Sequence, residues 1–313
     1  MKPGHYLALA GGVGGARLAA GLARALPDGH LTVAANTGDD FDHVGLHVAP
    51  DIDTVTYTLA GINNAEQGWG IGGESWAAMG ALKRLGGPDW FLLGDQDLAT
   101  HILRTQRLRA GESLSAITAD FAARLGIRQA IVPMSDDPVR SIVETDEGTL
   151  PFQEYFVRRR CEPRFLSIRF DGADRAQPSP GLLAALDHPD LAGIILCPSN
   201  PVLSVRPILS LPGITQRLAR RRVPLVAVSP FIGARAVKGP AAKIVGELGL
   251  EPTPSGLVSC YDGLLDGLVI DHADAAAACS VRRRVTATLM RDADDQTRLA
   301  QEVLDFTTAL HQG

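Results

Sequence analysis

The chain has 313 residues, enough for one large α/β domain with an insertion or for two smaller domains. Hydrophobic residues make up 45% of the sequence and charged residues 21%, a globular composition that excludes a disordered chain and a coiled coil. The net charge of −5 argues against broad electrostatic capture of nucleic acid or of an anionic membrane, although backbone N–H groups can still bind a single nucleotide.

The first residues predict a βαβ unit. An apolar run at residues 5–10 predicts a strand, which stops at a turn with four glycines among residues 11–15. Apolar residues then recur at helical spacing up to the Pro-Asp-Gly breaker at 27–29, and residues 31–35 form a second β-rich run. Strand, glycine turn, helix and strand in this order are typical of a parallel α/β sheet.

The middle of the chain predicts a helical insertion. Residues 74–85, 97–109 and 113–125 have helical periodicity, with no convincing strand beyond 90–93. A helical cap inserted into an α/β core explains this pattern best. The predicted division is a helical subdomain at 74–125 within a Rossmann-like core at 1–73 and 126–313.

The remaining elements complete the α/β pattern, and residues 129–170 resemble a β-rich excursion from it. Further strands are predicted at 130–133, 165–170, 193–197, 224–229 and 267–271. Further helices are predicted at 181–186, 214–221, 241–248 and 294–310. Because several strands are almost continuously apolar, both faces of the sheet should be covered. We therefore predict an α/β fold with a Rossmann-like, mainly parallel sheet, helices on both faces and a small inserted helical subdomain.

The cysteines and the chain start bear on the compartment. Cys161, Cys197, Cys260 and Cys279 are too far apart for a zinc knuckle or a CxxC redox pair, and we interpret them as free thiols in a reducing compartment. The start of the sequence lacks the long apolar core and cleavage site of a signal peptide, and no apolar run approaches a membrane span. We expect a cytoplasmic protein without membrane association.

The glycine-rich turn at residues 11–15 is the first candidate binding site. Without Cβ atoms, its backbone N–H groups and the following helix N-terminus can approach an anion closely. The turn lacks the Lys and Ser/Thr of a P-loop, and Arg17 stands where the dinucleotide fingerprint needs its third glycine. It is therefore either a phosphate- or ligand-binding turn of non-standard type or a tight connection between strand and helix.

Short polar turns follow the predicted strands or open the next helix. They lie at residues 36–40, 50–54, 133–138, 197–201 and 229–233. Ligands bind to open α/β sheets outside the carboxyl ends of the strands. One such turn alone often only caps a helix, but five of them at one edge favour a ligand-binding crevice.

Two acidic pairs are candidates for chemistry. Asp51 and Asp53 have the oxygens that a hard divalent cation needs and that accept a hydroxyl proton; alternatively, one of them is merely the N-cap of the following helix. On the first reading, Asp53→Asn should abolish activity and leave the fold intact. Asp95 and Asp97 form a similar pair, with His101 one turn beyond Asp97. A lone His on such a helix is more often a packing or hydrogen-bonding residue than a ligand.

A series of short motifs resembles a known family. In chain order they are GGVGG at 11–15, NTGDD at 36–40, PDIDTV at 50–55, LGDQDLATH at 93–101, PMSDDPV at 133–139, FQ at 152–153, PSNP at 198–201, SP at 229–230 and KGPA at 238–241. Together they resemble the 2-phospho-L-lactate transferase family (CofD, called FbiA in actinobacteria) of deazaflavin coenzyme biosynthesis. The resemblance runs from about residue 10 to residue 271.

The resemblance implies a reaction. Such enzymes join the deazaflavin precursor Fo to a phosphorylated hydroxy acid carried as its guanosine diphosphate ester, releasing GMP and forming the precursor of the coenzyme called factor 420. The ribityl hydroxyl of Fo attacks the phosphorus distal to guanosine, which requires alignment and charge neutralisation more than a covalent nucleophile. Magnesium is the implied cofactor. The implied architecture is a Rossmann-like core with a small helical domain, often as a homodimer.

The resemblance also assigns residues by motif. Asp51 and Asp53 would be catalytic, holding the metal or orienting the ribityl hydroxyl. The resemblance implies that Gly12, Gly14 and Gly15 contact the diphosphate and that Lys238 lies near phosphate. It implies that Ser199, Asn200 and Ser229 contact the guanosine. Further implied substrate contacts, with no assigned part of the substrate, are Asn36, Thr37, Asp39, Asp95, Asp97, His101, Ser135 and Asp136.

Two other functions remain open from the sequence. A nicotinamide-dependent Rossmann oxidoreductase would use the same first turn, but the third glycine is missing and nothing marks a hydride-acceptor site. A non-catalytic nucleotide-binding relative would not need the acidic pair Asp51 and Asp53. No residue distinguishes lactate, enolpyruvate or glycerate as the acid carried. The expected partners are Fo, the guanylylated phospho-hydroxyacid and a second copy of the chain.

Overall fold

The computed structural model describes residues 4–237 and 240–312. The strands in chain order are β1 His5–Ala10, β2 Leu31–Ala35, β3 Phe41–His43, β4 Leu46–Val48, β5 Ala130–Pro133, β6 Arg140–Thr145, β7 Gly148–Pro151, β8 Phe165–Asp171, β9 Leu191–Leu196, β10 Leu225–Val228, β11 Phe231–Ile232, β12 Arg235–Ala236, β13 Gly267–Ile270 and β14 Arg282–Val285. The helices are α1 Gly12–Ala25, α2 Pro50–Leu59, α3 Ala77–Arg84, α4 Asp95–Arg109, α5 Leu114–Arg124, α6 Pro180–Leu186, α7 Arg206–Leu209, α8 Ile214–Ala219, α9 Ala241–Glu247, α10 Pro254–Ser259 and α11 Ala293–Gln312. Shorter turns are π-helical at Glu154–Arg158 and Pro201–Val205 and 3-10 at His272–Asp274.

Seven strands form the central sheet in the order β14-β13-β10-β9-β1-β2-β5, and every neighbouring pair is parallel. All residues of β1, β2, β10 and β13 are buried, as expected for a sheet covered on both faces. The chain first builds outward from β1 through β2 to β5 and later returns to add β9 on the other side of β1. The strand order therefore reverses between β1 and β9, and ligands bind at such a switch point.

Apolar side chains cover both faces of this sheet. On one face, Leu18 of α1 and Leu299 of α11 are fully buried against the strands. Each such side chain contributes about 1.5–3 kcal/mol to folding. Helices α1 and α11 approach closely at Gly21, where a Cβ would lie 2.2 Å from the carbonyl oxygen of Gln296. None of the helices within 4–237 and 240–312 is long and apolar enough to span a membrane.

Residues 74–125 form the three helices α3, α4 and α5, close to their predicted bounds, and all of them are described without a strand among them. The weak strand candidate at 90–93 is a loop. Helix α5 packs Ala122 into the core beside the sheet, whereas α3 places Met79 in a separate small cluster. The insertion is therefore helical as predicted, and its status as a separate subdomain stays a prediction.

The observed sheet confirms the predicted α/β class and shows where single strands differ from the prediction. Strand β8, predicted at 165–170, lies outside the central sheet in an antiparallel sheet of order β7-β6-β8, which is the predicted β-rich excursion. The edge strand β14 was not predicted. Its residues Arg282, Arg283 and Arg284 are exposed. Charged residues are common on an edge strand, where they discourage pairing with another chain. The strand therefore lacks the apolar pattern from which the other strands were predicted.

Candidate active site

A cleft of about 620 Å³ lies at the carboxyl edge of the central sheet, at its switch point. Because β10, β9, β1 and β2 are neighbours in this order, the turns that follow them line the cleft in the same order. It runs from Ser229 after β10, past Asn200 after β9 and Gly12 after β1, to Asp39 after β2. Four of the five predicted turns contribute to this cleft, whereas the turn at residues 133–138 does not line it.

The glycine turn brings two loops into close contact. Gly12 has a φ of +63°, in the left-handed region that favours glycine. A Cβ on Gly14 would lie 2.4 Å from the carbonyl oxygen of Pro198, and a Cβ on Gly15 would lie 2.5 Å from the hydroxyl oxygen of Ser199. Both glycines are therefore needed for the turns after β1 and β9 to meet. Gly12 and Gly14 line the cleft, while Gly15 is buried behind it.

Asp51 is held by two donors at the start of α2. Its Oδ1 accepts the backbone N–H of Gly12 at 2.6 Å, and its Oδ2 accepts Nδ2 of Asn36 at 2.9 Å. Burial raises the pKa of Asp51 to about 6, although both hydrogen bonds lower it. The N-cap position of α2 is Ala49, so neither Asp51 nor Asp53 is the N-cap. Through these two hydrogen bonds, Asp51 instead connects the turn after β1 with the turn after β2.

Asp39 places a second carboxyl group near Asp51. It is 7% exposed and lines the cleft, and its Oδ1 has no hydrogen-bond partner within the described residues. Burial first, and then repulsion from Asp51, raise the pKa of Asp39 well above its usual range. No Lys, Arg or His of the described chain forms an ion pair with either group. Two uncompensated carboxyl groups supply the hard oxygen ligands that magnesium prefers, so the pair fits this ion.

Asp53 is ion-paired. The Arg104 guanidinium donates from Nη1 to Oδ2 of Asp53 at 3.0 Å and from Nη2 to Oδ1. Arg104 is 2% exposed and Asp53 is 6% exposed. Burial alone would lower the pKa of Arg104, but Asp53 and its hydrogen bonds raise it above its usual value. Since Arg104 occupies both oxygens of Asp53, Asp39 fits better than Asp53 as the second metal ligand beside Asp51.

Asp97 and His101 extend this ion pair along α4. Nη1 of Arg104 lies 3.3 Å from Nδ1 of His101, which places the imidazole ring beside the ion pair. Nε2 lies 3.2 Å from Oδ1 of Asp97, which also accepts the hydroxyl of Tyr57 at 2.6 Å. One ligand atom from each of Asp53, Asp97 and His101 lies within 4.8 Å of the others. Because Arg104 already supplies positive charge to this cluster, it fits a cation less well than the Asp39–Asp51 pair.

Three predicted ligand residues stabilise their own turns at the cleft. Ser199 Oγ accepts the backbone N–H of Gly11 at 3.0 Å and donates to its carbonyl at 2.8 Å. Asn200 Oδ1 accepts the N–H groups two and three residues further on, and Ser229 Oγ accepts the N–H two residues on. These bonds fix the shape of the cleft. Their contact with substrate stays a prediction.

Several predicted residues do not line the cleft. Within the described ranges these are Gly15, Asn36, Thr37, Asp95, Ser135 and Asp136. Asp95 accepts backbone N–H groups at the start of α3, and Asp136 accepts the N–H and hydroxyl of Ser115 at the start of α5. Ser135 donates to a backbone carbonyl at 2.6 Å. The predicted Lys238 lies outside the described residues.

The aromatic side chains of the cleft were not predicted from the sequence. Trp69, Trp90, Phe91 and Tyr57, here called the aromatic wall, line the cleft together with Phe152 and Phe156. The ring centroids of Trp90 and Phe91 are 5.7 Å apart. The sequence signal was the position of Trp90 and Phe91 directly before the acidic motif that begins at Leu93. Arg104 was also missed, although it lies one helical turn after His101.

Comparison with known proteins agrees with this geometry. Residues 7–308 match the family described as 2-phospho-L-lactate transferase CofD. The chain is 44% identical to a phosphoenolpyruvate transferase of Streptomyces griseus subsp. griseus, over 96% of this chain and 98% of that one. It is 42% identical to a 2-phospho-L-lactate transferase of Methanopyrus kandleri, over 96% and 97% of the two chains.

A solved structure supports the fold. A crystal structure of a protein from Bacillus halodurans has a TM-score of 0.66 to this chain, at 14% identity, and covers 97% of this chain and 100% of that one. At this identity the likeness shows the α/β fold alone. The family match and the relatives, which extend over nearly the whole chain, show that the protein is a transferase that belongs to the 2-phospho-L-lactate transferase CofD family.

Proposed function

We propose that the protein transfers a phospho-hydroxyacid group from its guanosine diphosphate ester to the ribityl hydroxyl of Fo, with release of GMP and with magnesium as cofactor. The observation that carries this proposal is one cleft at the carboxyl edge of the sheet that is lined by a glycine turn at a helix N-terminus, a buried carboxyl pair and an aromatic wall. These three environments match the diphosphate, the reacting centre and the deazaflavin ring of the two substrates.

The donor would lie across the switch point. Its guanosine would occupy the end formed by Ser229 and Asn200, and its diphosphate would face the glycine turn. Helix α1 begins at Gly12, whose own N–H is bonded to Asp51. The N–H groups that follow in the first turn have no partner within the helix, and together with the helix dipole they favour negative charge. The close approach at Gly14 keeps this turn narrow.

The reacting centre would lie beside the carboxyl pair. Asp39 and Asp51 would hold magnesium, which supplies charge neutralisation for the transferring phosphoryl group when it is bound. Asp53 also lines the cleft, and Arg104 fixes its carboxylate from behind. Its remaining lone pairs would accept the proton of the ribityl hydroxyl in a hydrogen bond and orient the oxygen for attack.

The acceptor would bind at the aromatic wall. A deazaflavin ring is a flat aromatic system, and Trp69 and Trp90 offer large ring faces for offset stacking. Trp69 is 40% exposed, so it is available to a ligand at the mouth of the cleft. The expected homodimer and cytoplasmic location stay predictions.

Product analysis tests the function. The protein is incubated with magnesium, Fo and, in separate reactions, the guanylylated forms of phospholactate, phosphoenolpyruvate and phosphoglycerate. We expect GMP release and, by mass spectrometry, Fo increased by one phospho-hydroxyacid group with at least one donor. The relatives carry two different names, so the donor that reacts fastest decides which acid this chain carries. If none of the three donors gives the product, the proposal is wrong.

Two controls separate the alternatives. Ligand binding to the native state raises the melting temperature, so GDP with magnesium should stabilise the protein more than NAD does. A larger shift with NAD would favour the oxidoreductase. Trp90→Ala should raise the KM for Fo about tenfold by loss of stacking. Leu85→Ala, which removes an exposed apolar side chain outside the cleft lining, should leave this KM unchanged.

A further inference from the structure

Arg17 carries the positive charge nearest to the glycine turn. It lies on α1, five residues after Gly12, and it lines the cleft. Among the described cleft-lining residues it is the one Lys or Arg side chain. Its Nη1 donates to the carbonyl of Met290 at 3.0 Å, and no ion pair within the described chain involves it. A guanidinium has five N–H groups, so most of them remain for a ligand.

The helix directs this side chain toward the turn. Long side chains in an α-helix point back toward the N-terminus and cover the residues three and four positions earlier. For Arg17 these are Val13 and Gly14, which line the cleft at the proposed diphosphate site. The third glycine of a dinucleotide fingerprint would leave this position without a side chain. Arg17 therefore places a positive side chain at a position where a dinucleotide-binding fold has a glycine and offers only backbone groups to the ligand.

The partner of Arg17 is itself fixed. Thr288, two residues before Met290, donates its backbone N–H to Asp271 at 2.9 Å. Thr288 and Met290 are each 6% exposed and line the cleft. Asp271 follows β13, so the segment that holds the guanidinium is tied to the central sheet. A preorganised guanidinium loses little freedom when it binds, which favours two-point recognition of phosphate oxygens.

The charges of the cleft point to the same ligand. Asp39, Asp51 and Asp53 line it, and Arg104 compensates Asp53 alone. A diphosphate entering this acidic cleft needs positive charge beyond the backbone N–H groups of α1. Arg17 is the described side chain placed to give it without breaking an existing ion pair.

We propose that Arg17 binds the diphosphate of the nucleotide donor and makes the site select a nucleoside diphosphate over the nucleoside. This inference rests on the proposed function and assigns a donor-binding residue within it. Arg24 provides a matched control, because it lies two turns further along α1 and also bonds to the α11 region, at Thr297, but does not line the cleft.

Calorimetric titration with GDP and with guanosine, in magnesium and without Fo, tests the inference. We expect Arg17→Met to weaken GDP binding by about tenfold to a hundredfold, the range for a lost charge-assisted hydrogen bond. Guanosine binding should stay within twofold of wild type. Arg17→Lys keeps the charge but loses the planar fork, so its GDP affinity should lie between those of Arg17→Met and wild type. Arg24→Met should bind both ligands like wild type.

Other results would overturn the inference. One is a GDP affinity of Arg17→Met that stays within twofold of wild type. Another is an equal loss of GDP and guanosine binding in both the Arg17 and the Arg24 variants, which would show that Arg17 only stabilises the structure. If Arg17→Met does not fold, Arg17→Lys decides, since unchanged GDP affinity there would contradict fork recognition. Normal GDP binding by Arg17→Met together with product formation by the wild type would remove the inference and leave the proposed function standing.

Discussion

Asp51 and Asp53 lie two residues apart in the first turn of α2, but their surroundings differ in charge. Asp53 is paired with Arg104, and the nearby Asp97 accepts the hydroxyl of Tyr57 and lies 3.2 Å from Nε2 of His101. Asp51 receives only neutral N–H donors, and its neighbour Asp39 also has no counter-ion within the described chain. Within the described chain, the Asp53 cluster contains a buried counter-ion, Arg104, whereas the Asp39–Asp51 pair contains none.

This difference separates a buried charge that has a counter-ion from buried charges that have none. A buried charge with its counter-ion stabilises the fold as long as both partners stay, because removing one leaves the other unpaired. A buried charge without a counter-ion reduces the stability of the empty protein and is retained where it binds something. The comparison therefore predicts that removing the carboxylate of Asp53 lowers the stability of the protein, whereas removing the carboxylate of Asp39 raises it.

The largest expected effect is the loss of the Asp53–Arg104 pair. Asp53→Asn and Arg104→Met each leave one fully buried charge unpaired, which costs about 3–5 kcal/mol in the free energy of unfolding. The double variant should lose less than the sum of both, since neither charge then remains alone. Urea denaturation measures all three variants. Asp89→Asn breaks an exposed pair with Lys83 in the same helical segment and should change stability little. Single variants as stable as wild type would contradict the comparison.

Much of this fold follows from the sequence, whereas the charge compensation does not. The βαβ start, the helical insertion and the polar strand ends are local patterns, and the structure confirms them. The partner of Asp53 lies 51 residues away on α4, so no local pattern reveals it. The sequence alone therefore predicts a structurally neutral Asp53→Asn, and the ion pair changes that expectation. The aromatic wall was not predicted either, because Trp69 and Trp90 are separated in the sequence and line the same cleft only in the folded chain.

The second expected effect is on turnover at Asp51. If Asp51 holds magnesium, Asp51→Asn should reduce GMP release about a hundredfold or more, because one preorganised charge at the reacting phosphoryl group is lost. The variant should also bind Mn²⁺ more weakly, which electron paramagnetic resonance measures without turnover. Asp42→Asn is the control, since that side chain is 77% exposed. Turnover and Mn²⁺ affinity near wild type in a folded Asp51→Asn protein would assign Asp51 a structural role.

The third effect sharpens the description of the compensated cluster. Tyr57 is 2% exposed and donates its hydroxyl to Asp97 at 2.6 Å. Tyr57→Phe removes this hydrogen bond to a charged acceptor and should lower the free energy of unfolding by about 2 kcal/mol. Tyr155→Phe removes a hydroxyl whose bond to Lys243 is 3.5 Å long, so its loss should be smaller. If urea denaturation shows the same loss of unfolding free energy for Tyr57→Phe and Tyr155→Phe, the hydrogen bond from Tyr57 to Asp97 contributes no more than the long bond of Tyr155.

The smallest effect has the opposite sign and concerns Asp39. Burial and the neighbouring Asp51 raise the pKa of Asp39 above the value near 3.8 that it has when unfolded. The folded state therefore holds a proton that the unfolded state releases, and stability falls as the pH rises through this window. Asp39→Asn removes the buried charge, so in EDTA it should stabilise the protein at pH 8 by about 1 kcal/mol.

The pH and the metal decide whether this explanation is correct. The advantage of Asp39→Asn should shrink as the pH falls, because protonation of wild-type Asp39 removes its unfavourable charge. Magnesium should stabilise the wild type more than the variant, since an ion that binds only the folded state adds its binding free energy to folding. Thermal melts at pH 5 and pH 8, with EDTA and with magnesium, measure both differences. A destabilised Asp39→Asn protein at pH 8 in EDTA would show that Asp39 is compensated after all and would remove the contrast with Asp53.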